Sequence, residues 1–222
     1  MKIVIKLLSN VIYIYGISGT GKTQFVHTLS KSLGKKLFEI PSIDAMGKLN
    51  STSARIETFK IAQSTLDPKN NLILMDEVED IFGLYNSFHS AGYADENKAY
   101  FIDLLENSPV PVFWISNRSY GVDPAFIRRF SYVLKMDTMP VNIRERVFYQ
   151  HCKNFVPKHI VERVANSENI SVGVIKNAAR VGQVVSSANS GEKITPTHAF
   201  VETLNSSIEA QGYKKVFLVM KN

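Results

Sequence analysis

The fold of this chain follows from Gly16-Ile17-Ser18-Gly19-Thr20-Gly21-Lys22-Thr23, which fills every fixed position of the pattern G-x-x-x-x-G-K-[ST]. The glycines let the backbone turn tightly, so that successive N–H groups point into one concavity and hold phosphate groups at a helix N-terminus. Lys22 supplies a positive charge for the outer phosphates, and the hydroxyl of Thr23 suits Mg²⁺. Together with Gln24, which follows directly, the stretch predicts a binding site for ATP with Mg²⁺.

The residues on either side of this loop fit the same interpretation. Val11 to Tyr15 is a run of β-branched and aromatic residues that is typical of a buried strand. Gln24 to Leu33 has apolar residues at helical spacing, and Gly34 stands where a helix would end. A strand, a glycine-rich loop and a helix in this order form the context that a phosphate-binding loop requires.

Strands and helices alternate in the first 139 residues. We predict further strands at 36–40, 72–75, 112–116 and 131–136 and further helices at 55–66, 99–106 and 124–129. Residues 82–97 contain many Gly, Ser and Asn residues and are predicted to form a loop. Strands that alternate with helices predict an α/β fold, a three-layer α/β/α arrangement around a parallel sheet.

The rest of the chain has a different pattern. Helices are predicted at 142–153, 157–165, 171–187 and 195–211. Ser171 and Thr195 are the expected N-caps of the last two helices. Residues 213–220 are interpreted as a terminal strand or a tail. We therefore expect two domains, an α/β core at 1–139 and a small all-α subdomain at 140–222.

Composition excludes several classes of protein. The chain is 45% hydrophobic, enough for a sizeable core, and no apolar run is long enough to predict a transmembrane helix. Lys2 and Lys6 precede an apolar run in the manner of a signal peptide, but that run is needed as the strand before the loop, so we expect it to be retained. Cys152 is the single cysteine, which excludes an intrachain disulfide and fits a reducing compartment such as the cytoplasm.

The net charge of +6 permits weak attraction to nucleic acid. The basic residues are scattered in pairs without a longer tract, which favours an ordinary solvated surface over a dedicated nucleic-acid interface. The histidines show no metal-ligand spacing.

Polar side chains follow two of the predicted strands. Asp76 and Glu77 end the strand at 72–75, and Asn117 ends the strand at 112–116. Carboxyl ends of parallel strands form the edge of the sheet where ligands bind. We expect Asp76 to hold Mg²⁺, Glu77 to activate the attacking water, and Asn117 either to orient that water or simply to favour the turn.

Arg128 and Arg129 close the predicted helix at 124–129. Two interpretations stay open for this pair. Cations are favoured at the C-terminus of a helix by its dipole. A guanidinium there could also reach the nucleotide of a neighbouring subunit.

These segments together resemble the AAA+ ATPase family over essentially the whole chain. The loop at 16–23, the strand ending in Asp76 and Glu77, Asn117 and the run Asp123-Pro124-Ala125-Phe126-Ile127-Arg128-Arg129-Phe130 are similar to its Walker A, Walker B, sensor 1 and arginine-finger segments. The last segment is similar to the central AAA ATPase type. The resemblance implies an ATP-hydrolysing ring, with nucleotide between subunits, arginines acting in trans and a helical lid.

The chain departs from the family pattern in three places. The pore loop usually carries an aromatic residue, where this chain has Ala45-Met46-Gly47. The usual sensor 2 position falls in Val172-Gly173-Val174, and Arg180, two turns further on, is the remaining candidate for that role toward the nucleotide. Family members also have a longer segment before the loop, so we expect either one module of a larger protein or a diverged chain.

The sequence leads to three functional hypotheses. The first is an ATPase that remodels a macromolecular partner as a ring, with protein favoured over nucleic acid as the substrate and no insertion into a membrane. The second is an ATPase of the DNA-replication or helicase-loader type. The third is a nucleotide-dependent scaffold or switch with little turnover, against which Glu77 and Asn117 argue.

Overall fold

A computed structural model of the 222-residue chain describes residues 11–43, 46–79, 81–82, 93–118, 122–167, 170–188 and 194–216. Within these ranges the chain divides into two compact units. The first runs to Asp137 without residues 18–20, and the second comprises those residues and the chain from Thr138. That the units are separate core and lid domains divided at 139/140 stays a prediction.

The first unit is built on a five-stranded sheet. Its strands, in chain order, are β1 (Val11–Tyr15), β2 (Lys36–Glu39), β3 (Asn71–Met75), β4 (Val112–Ser116) and β5 (Tyr132–Lys135). The spatial order is β2-β3-β4-β1-β5, and every neighbouring pair is parallel. The carboxyl ends of β3, β4 and β1 therefore lie side by side, so the segments that follow them meet at one edge.

Helices connect these strands, as parallel pairing requires. The first unit contains α1 (Lys22–Leu33), α2 (Thr52–Thr65), α3 (Tyr93–Glu106) and the short α4 (Pro124–Ile127). Helix α3 begins within the segment predicted to be a loop, which corrects that expectation. Its buried residues Phe101 and Leu105 anchor it in the core, and such packing extends a helix into residues of weak intrinsic propensity.

Both faces of the sheet are covered, which gives the predicted three layers. On one face Tyr13 and Trp114 pack with Phe59 of α2 and Phe101 of α3 in one apolar cluster. On the other face, Ile12, Ile14, Leu72, Leu74, Phe113 and Ile115 pack with residues of α1. Because successive residues of a strand point to opposite faces, strands buried on both sides must be apolar throughout.

The second unit is helical. It contains α5 (Val141–Cys152), α6 (Lys158–Ala165), α7 (Val172–Ser187) and α8 (Pro196–Ala210). Ser171 and Thr195 cap α7 and α8 as predicted, since their hydroxyls accept hydrogen bonds from the N–H groups of Val174 and His198. Residues 213–216 form no strand, and 217–222 lie outside the described residues.

The core of the second unit contains the single cysteine. Cys152, at the end of α5, is 1% exposed and packs among the apolar residues of this unit. Burial raises the pKa of its thiol to about 11. Among the described helices, none combines the length and the apolar composition that crossing a bilayer requires.

Candidate functional site

The loop after β1 needs glycine for two separate reasons. Gly16 has a φ of 151°, and a Cβ at this position would lie 2.1 Å from the carbonyl oxygen of Met136, the residue after β5. Gly21 has a φ of 90° and is the residue from which α1 starts. Larger residues would therefore be strained at either end of the loop, so its glycines are dictated by backbone geometry.

Lys22 is the first residue of α1 and is only 5% exposed. Its Nζ donates hydrogen bonds to the carbonyl oxygens of Gly16 at 2.7 Å and Ile17 at 2.9 Å. Burial lowers the pKa of the Lys22 ammonium, while the negative charges of Asp76 and Glu79 oppose that shift. The ammonium is thus held against the loop and near two carboxylates, where an incoming phosphate would stabilise its charged form.

Thr23 and Asp76 come together from distant parts of the chain. The Thr23 hydroxyl donates to Oδ2 of Asp76 at 2.6 Å, which links the start of α1 to the end of β3. Oδ1 of Asp76 accepts from the N–H of Glu77 at 2.8 Å. A hydroxyl beside a carboxylate is the hard oxygen set that Mg²⁺ uses alongside phosphate and water. These two predicted metal ligands therefore fit Mg²⁺ bound with a nucleotide.

Glu77 combines an exposed side chain with an unusual backbone. Its φ is 53°, in the left-handed region, and it is the single non-glycine residue with a positive φ among those described. Its carboxylate makes no hydrogen bond or ion pair with any residue in the described ranges. The side chain is therefore available at the carboxyl edge of the sheet, as a residue that activates water must be.

Asn117 follows β4, and β4 is the neighbour of β3. Its backbone N–H donates to Oε1 of Glu79, and the Ser116 hydroxyl donates to the same oxygen at 3.2 Å. The structure therefore brings Asn117 to the same edge as Asp76 and Glu77. From sequence, Glu79 is simply a further charge in the acidic run after β3, and nothing there predicts that it holds the end of β4. Asp80, the next residue of that run, lies outside the described residues.

The structure does not bring Arg128 and Arg129 to this edge. They follow α4 and lead into β5, and the N–H of Ser131 donates to the carbonyl of Val11, the first residue of β1. The loop at Gly16 follows the last residue of β1, and a strand of that length spans roughly 13 Å. The arginines thus lie at the amino edge of the sheet, away from the phosphate loop of the same chain.

The two arginines differ in their contacts. Arg129 forms an ion pair with Glu106, the last residue of α3. The side chain of Arg128 is exposed, and its guanidinium has no hydrogen bond or ion pair with any residue in the described part of the chain. Arg128 is consequently the better placed of the two to interact with a second subunit.

For the remaining predicted residues, the structure gives exposure and backbone conformation. Ser18 and Gly19 are exposed and Thr20 is buried, while Gln24 is exposed on α1. Arg180 is exposed on α7 of the second unit. In the expected pore loop, Ala45 lies outside the described residues. Met46 is 95% exposed, and Gly47 has a φ of 80°.

Comparison with known proteins gives a family and several structural neighbours. Residues 12–138, more than half of the chain, match the ATPase family associated with various cellular activities (AAA). Cell division protein C of Sulfolobus acidocaldarius is 26% identical over 130 residues, which are 54% of this chain and 34% of that protein. The chain thus spans well under two thirds of this curated relative.

Two solved structures with a similar fold are more distant in sequence than this relative. The Thermotoga maritima RuvB Holliday junction branch migration motor has a TM-score of 0.60 and 14% identity, covering 94% of this chain and 65% of that chain. The FIGL-1 AAA domain in complex with ADP has a TM-score of 0.58 and 16% identity, covering 90% of this chain and 75% of that chain. At this level of identity the likeness shows the fold.

Proposed function

The chain belongs to the ATPase family associated with various cellular activities, and we propose that it uses ATP hydrolysis to remodel a macromolecular partner as part of a homo-oligomeric ring. Nucleotide binding and ATP hydrolysis follow from membership of that family. The ring, the partner and the role of each residue are the proposed parts. Protein is favoured over nucleic acid as the partner, because the basic residues form no continuous tract.

The hydrogen bond between Thr23 and Asp76 carries the assignment of the site. It is 2.6 Å long and joins residues 53 positions apart, so the loop and the end of β3 form one polar centre. Thr23 and Asp76 would hold Mg²⁺, which offsets the negative charge of the outer phosphates when bound. Lys22 and the N–H groups at the start of α1 would bind the phosphates themselves.

The hydrolysis step is assigned to residues at the ends of β3 and β4. Water oxygen bonds to the γ-phosphorus, the bond from that phosphorus to the bridging oxygen of ADP breaks, and the water proton passes to the carboxylate of Glu77. Asn117, held by Glu79, would orient the water through its side-chain amide. ATP and water thereby become ADP and phosphate.

The position of Arg128 and Arg129 supports a nucleotide site that is formed by two neighbouring subunits. Because they lie at the amino edge of the sheet, a role at the γ-phosphate requires a nucleotide bound by another subunit. Nucleotide between subunits would couple hydrolysis to movement of neighbouring chains, with the helical second unit acting as the lid that moves. We expect this machine to work in the cytoplasm.

Replacing Glu77 by glutamine tests the assignment. Glu77→Gln keeps the shape of the side chain and removes the base, so we expect kcat to fall by about a hundredfold or more while the Kd for ATP changes little. Steady-state phosphate release and equilibrium binding of a fluorescent ATP analogue measure the two quantities. Glu57→Gln, at an exposed position of α2, makes the same charge change and should behave as wild type.

Equal loss of ATP binding and turnover in Glu77→Gln would argue against Glu77 as the base. A wild-type protein that binds ATP but turns it over no faster than Glu77→Gln would support the scaffold hypothesis. Turnover stimulated by DNA, and weakened by added salt, would favour a partner of the nucleic-acid class instead of protein.

A further inference from the structure

Arg55 is a buried charged residue that the proposed mechanism has not used. It lies in the first turns of α2 and is only 3% exposed, although most arginines of a soluble protein face solvent. A buried guanidinium is strongly unfavourable unless its N–H groups have acceptors. Its position therefore indicates a specific task inside the first unit.

The guanidinium reaches the backbone at the end of β3. Nη1 donates to the carbonyl oxygen of Glu77 at 3.1 Å, and Nη2 donates to the carbonyl oxygen of Asp76. Both acceptors are main-chain oxygens, so these two hydrogen bonds do not use the carboxylates of Asp76 and Glu77. The planar fork of arginine fixes the direction of two acceptors at once, which a lysine ammonium cannot do.

The peptide that Arg55 holds is also the strained one. The φ of 53° at Glu77 is rarely adopted by residues other than glycine, and such a conformation persists only when its surroundings fix it. The N–H of Glu77 is bound by the Asp76 carboxylate at 2.8 Å, and its carbonyl is bound by Arg55 at 3.1 Å. Hydrogen bonds on both sides thus hold this backbone in place.

We propose that Arg55 is a positioning residue for ATP hydrolysis, which keeps Glu77 in its left-handed conformation so that the carboxylate is directed to the attacking water. The inference rests on the proposed function of Glu77. On this proposal, helix α2 influences ATP turnover through Arg55. The influence acts through the carbonyl oxygens of Asp76 and Glu77 and not through contact with the nucleotide.

The test compares Arg55→Lys and Arg55→Gln with wild type. Lysine keeps the charge and glutamine keeps a neutral donor, but neither can hold both carbonyls with the same fork. We expect kcat to fall by about tenfold or more in both variants, with the Kd for ATP changed by no more than about twofold. Thermal unfolding sets an assay temperature at which each variant is folded.

Arg144→Lys is the matched control. Arg144 is 4% exposed and donates to the carbonyl of Ser167 in the second unit, so it is also a buried arginine bound to the main chain. Arg144→Lys should lose stability to a comparable extent and retain kcat. A kcat loss of the same size in both lysine variants would show a general effect of stability and overturn the proposal.

Combination with Glu77→Gln gives the sharper measurement. If Arg55 acts through Glu77, then adding Arg55→Lys to Glu77→Gln should leave the residual single-turnover rate with radiolabelled ATP unchanged. A further tenfold fall would show that Arg55 acts independently of Glu77, and the proposal would be wrong. If Glu77→Gln hydrolyses ATP at the wild-type rate, the assignment of Glu77 as the base is wrong. If Glu77→Gln is inactive but the Arg55 variants hydrolyse ATP at the wild-type rate, only the proposal for Arg55 is wrong.

Discussion

At the scale of single residues, the buried charge of Lys22 favours phosphate binding but lowers the stability of the folded protein. Its ammonium is buried against two carbonyl oxygens, and burial lowers its pKa from the ordinary lysine value of 10.5. A group whose pKa is lower in the folded state binds fewer protons there than in the unfolded chain. Its contribution to stability therefore improves as the pH rises toward 10.5.

Lys22→Met removes this charge and should separate the two effects. We expect ATP affinity to fall by roughly tenfold to a hundredfold, because charge-assisted hydrogen bonds to phosphate are lost. The unfolding free energy without nucleotide should not fall, and any advantage of the variant over wild type should shrink as the pH rises toward 10.5. Urea unfolding with and without ATP measures both. Lys31→Met, on the exposed side of α1, is the control.

At the scale of elements, the loop between β1 and α1 lies close to the end of β5, and this limits the space for a side chain at Gly16. The N–H of Met136 donates to the carbonyl of Tyr15 at 2.8 Å, which brings the chain after β5 against Gly16. Gly34, at the other end of α1, also has a positive φ of 67°, but a Cβ added there would meet no atom of the described residues within 4 Å. The two glycines thus share a backbone constraint and differ in the space around them.

Gly16→Ala should therefore be much more harmful than Gly34→Ala. The left-handed conformation alone is expected to make Gly34→Ala about 1 kcal/mol less stable. In Gly16→Ala the contact with Met136 must also be relieved by moving backbone, for a total loss of about 3 kcal/mol or more. Midpoints of urea unfolding measure the difference, and equal losses would show that the close contact at Gly16 is relieved without strain.

The elements also show what sequence patterns can predict. Strands β1, β3 and β4 are predicted to within one residue because burial on both faces leaves an unbroken apolar run. In α2, Ile61 is apolar and yet 58% exposed. The buried side is instead formed by Arg55, Phe59 and Ala62, at spacings of four and three residues.

Two residues of the site, Arg55 and Glu79, are not predicted from the sequence because their partners are distant along the chain. Arg55 binds main-chain carbonyls 21 and 22 positions away in the sequence. Glu79 binds a side-chain hydroxyl and a main-chain N–H 37 and 38 positions away. A charged side chain ordinarily faces solvent, so neither Arg55 nor Glu79 shows a local signal in the sequence. By contrast, the loop at 16–23 has a fixed pattern because its own backbone forms the site.

At the scale of the whole molecule, the position of Arg128 predicts that activity depends on assembly. An equal mixture of Arg128→Ala and Glu77→Gln chains should regain activity, because about one interface in four would join an intact Glu77 to an intact Arg128. The wild-type rate per subunit should also rise with protein concentration. Both are measured by phosphate release, with light scattering to follow assembly.

The control for this mixture is a chain that carries both substitutions. Mixed with Glu77→Gln, it supplies no intact Glu77, so activity should stay at background. Activity of Arg128→Ala equal to wild type, or a rate per subunit independent of concentration, would instead favour the interpretation of these arginines as cations that stabilise the end of a helix.

The burial of the single cysteine has a practical consequence for fluorescence labelling of this protein in solution. Cys152 is 1% exposed and its thiol has a pKa of about 11, so it is nearly all protonated and inaccessible at neutral pH. Maleimide dyes should therefore not react with Cys152 in the native protein. A reporter cysteine introduced by Met46→Cys, at a position that is 95% exposed, could then be labelled selectively, without first removing the natural thiol.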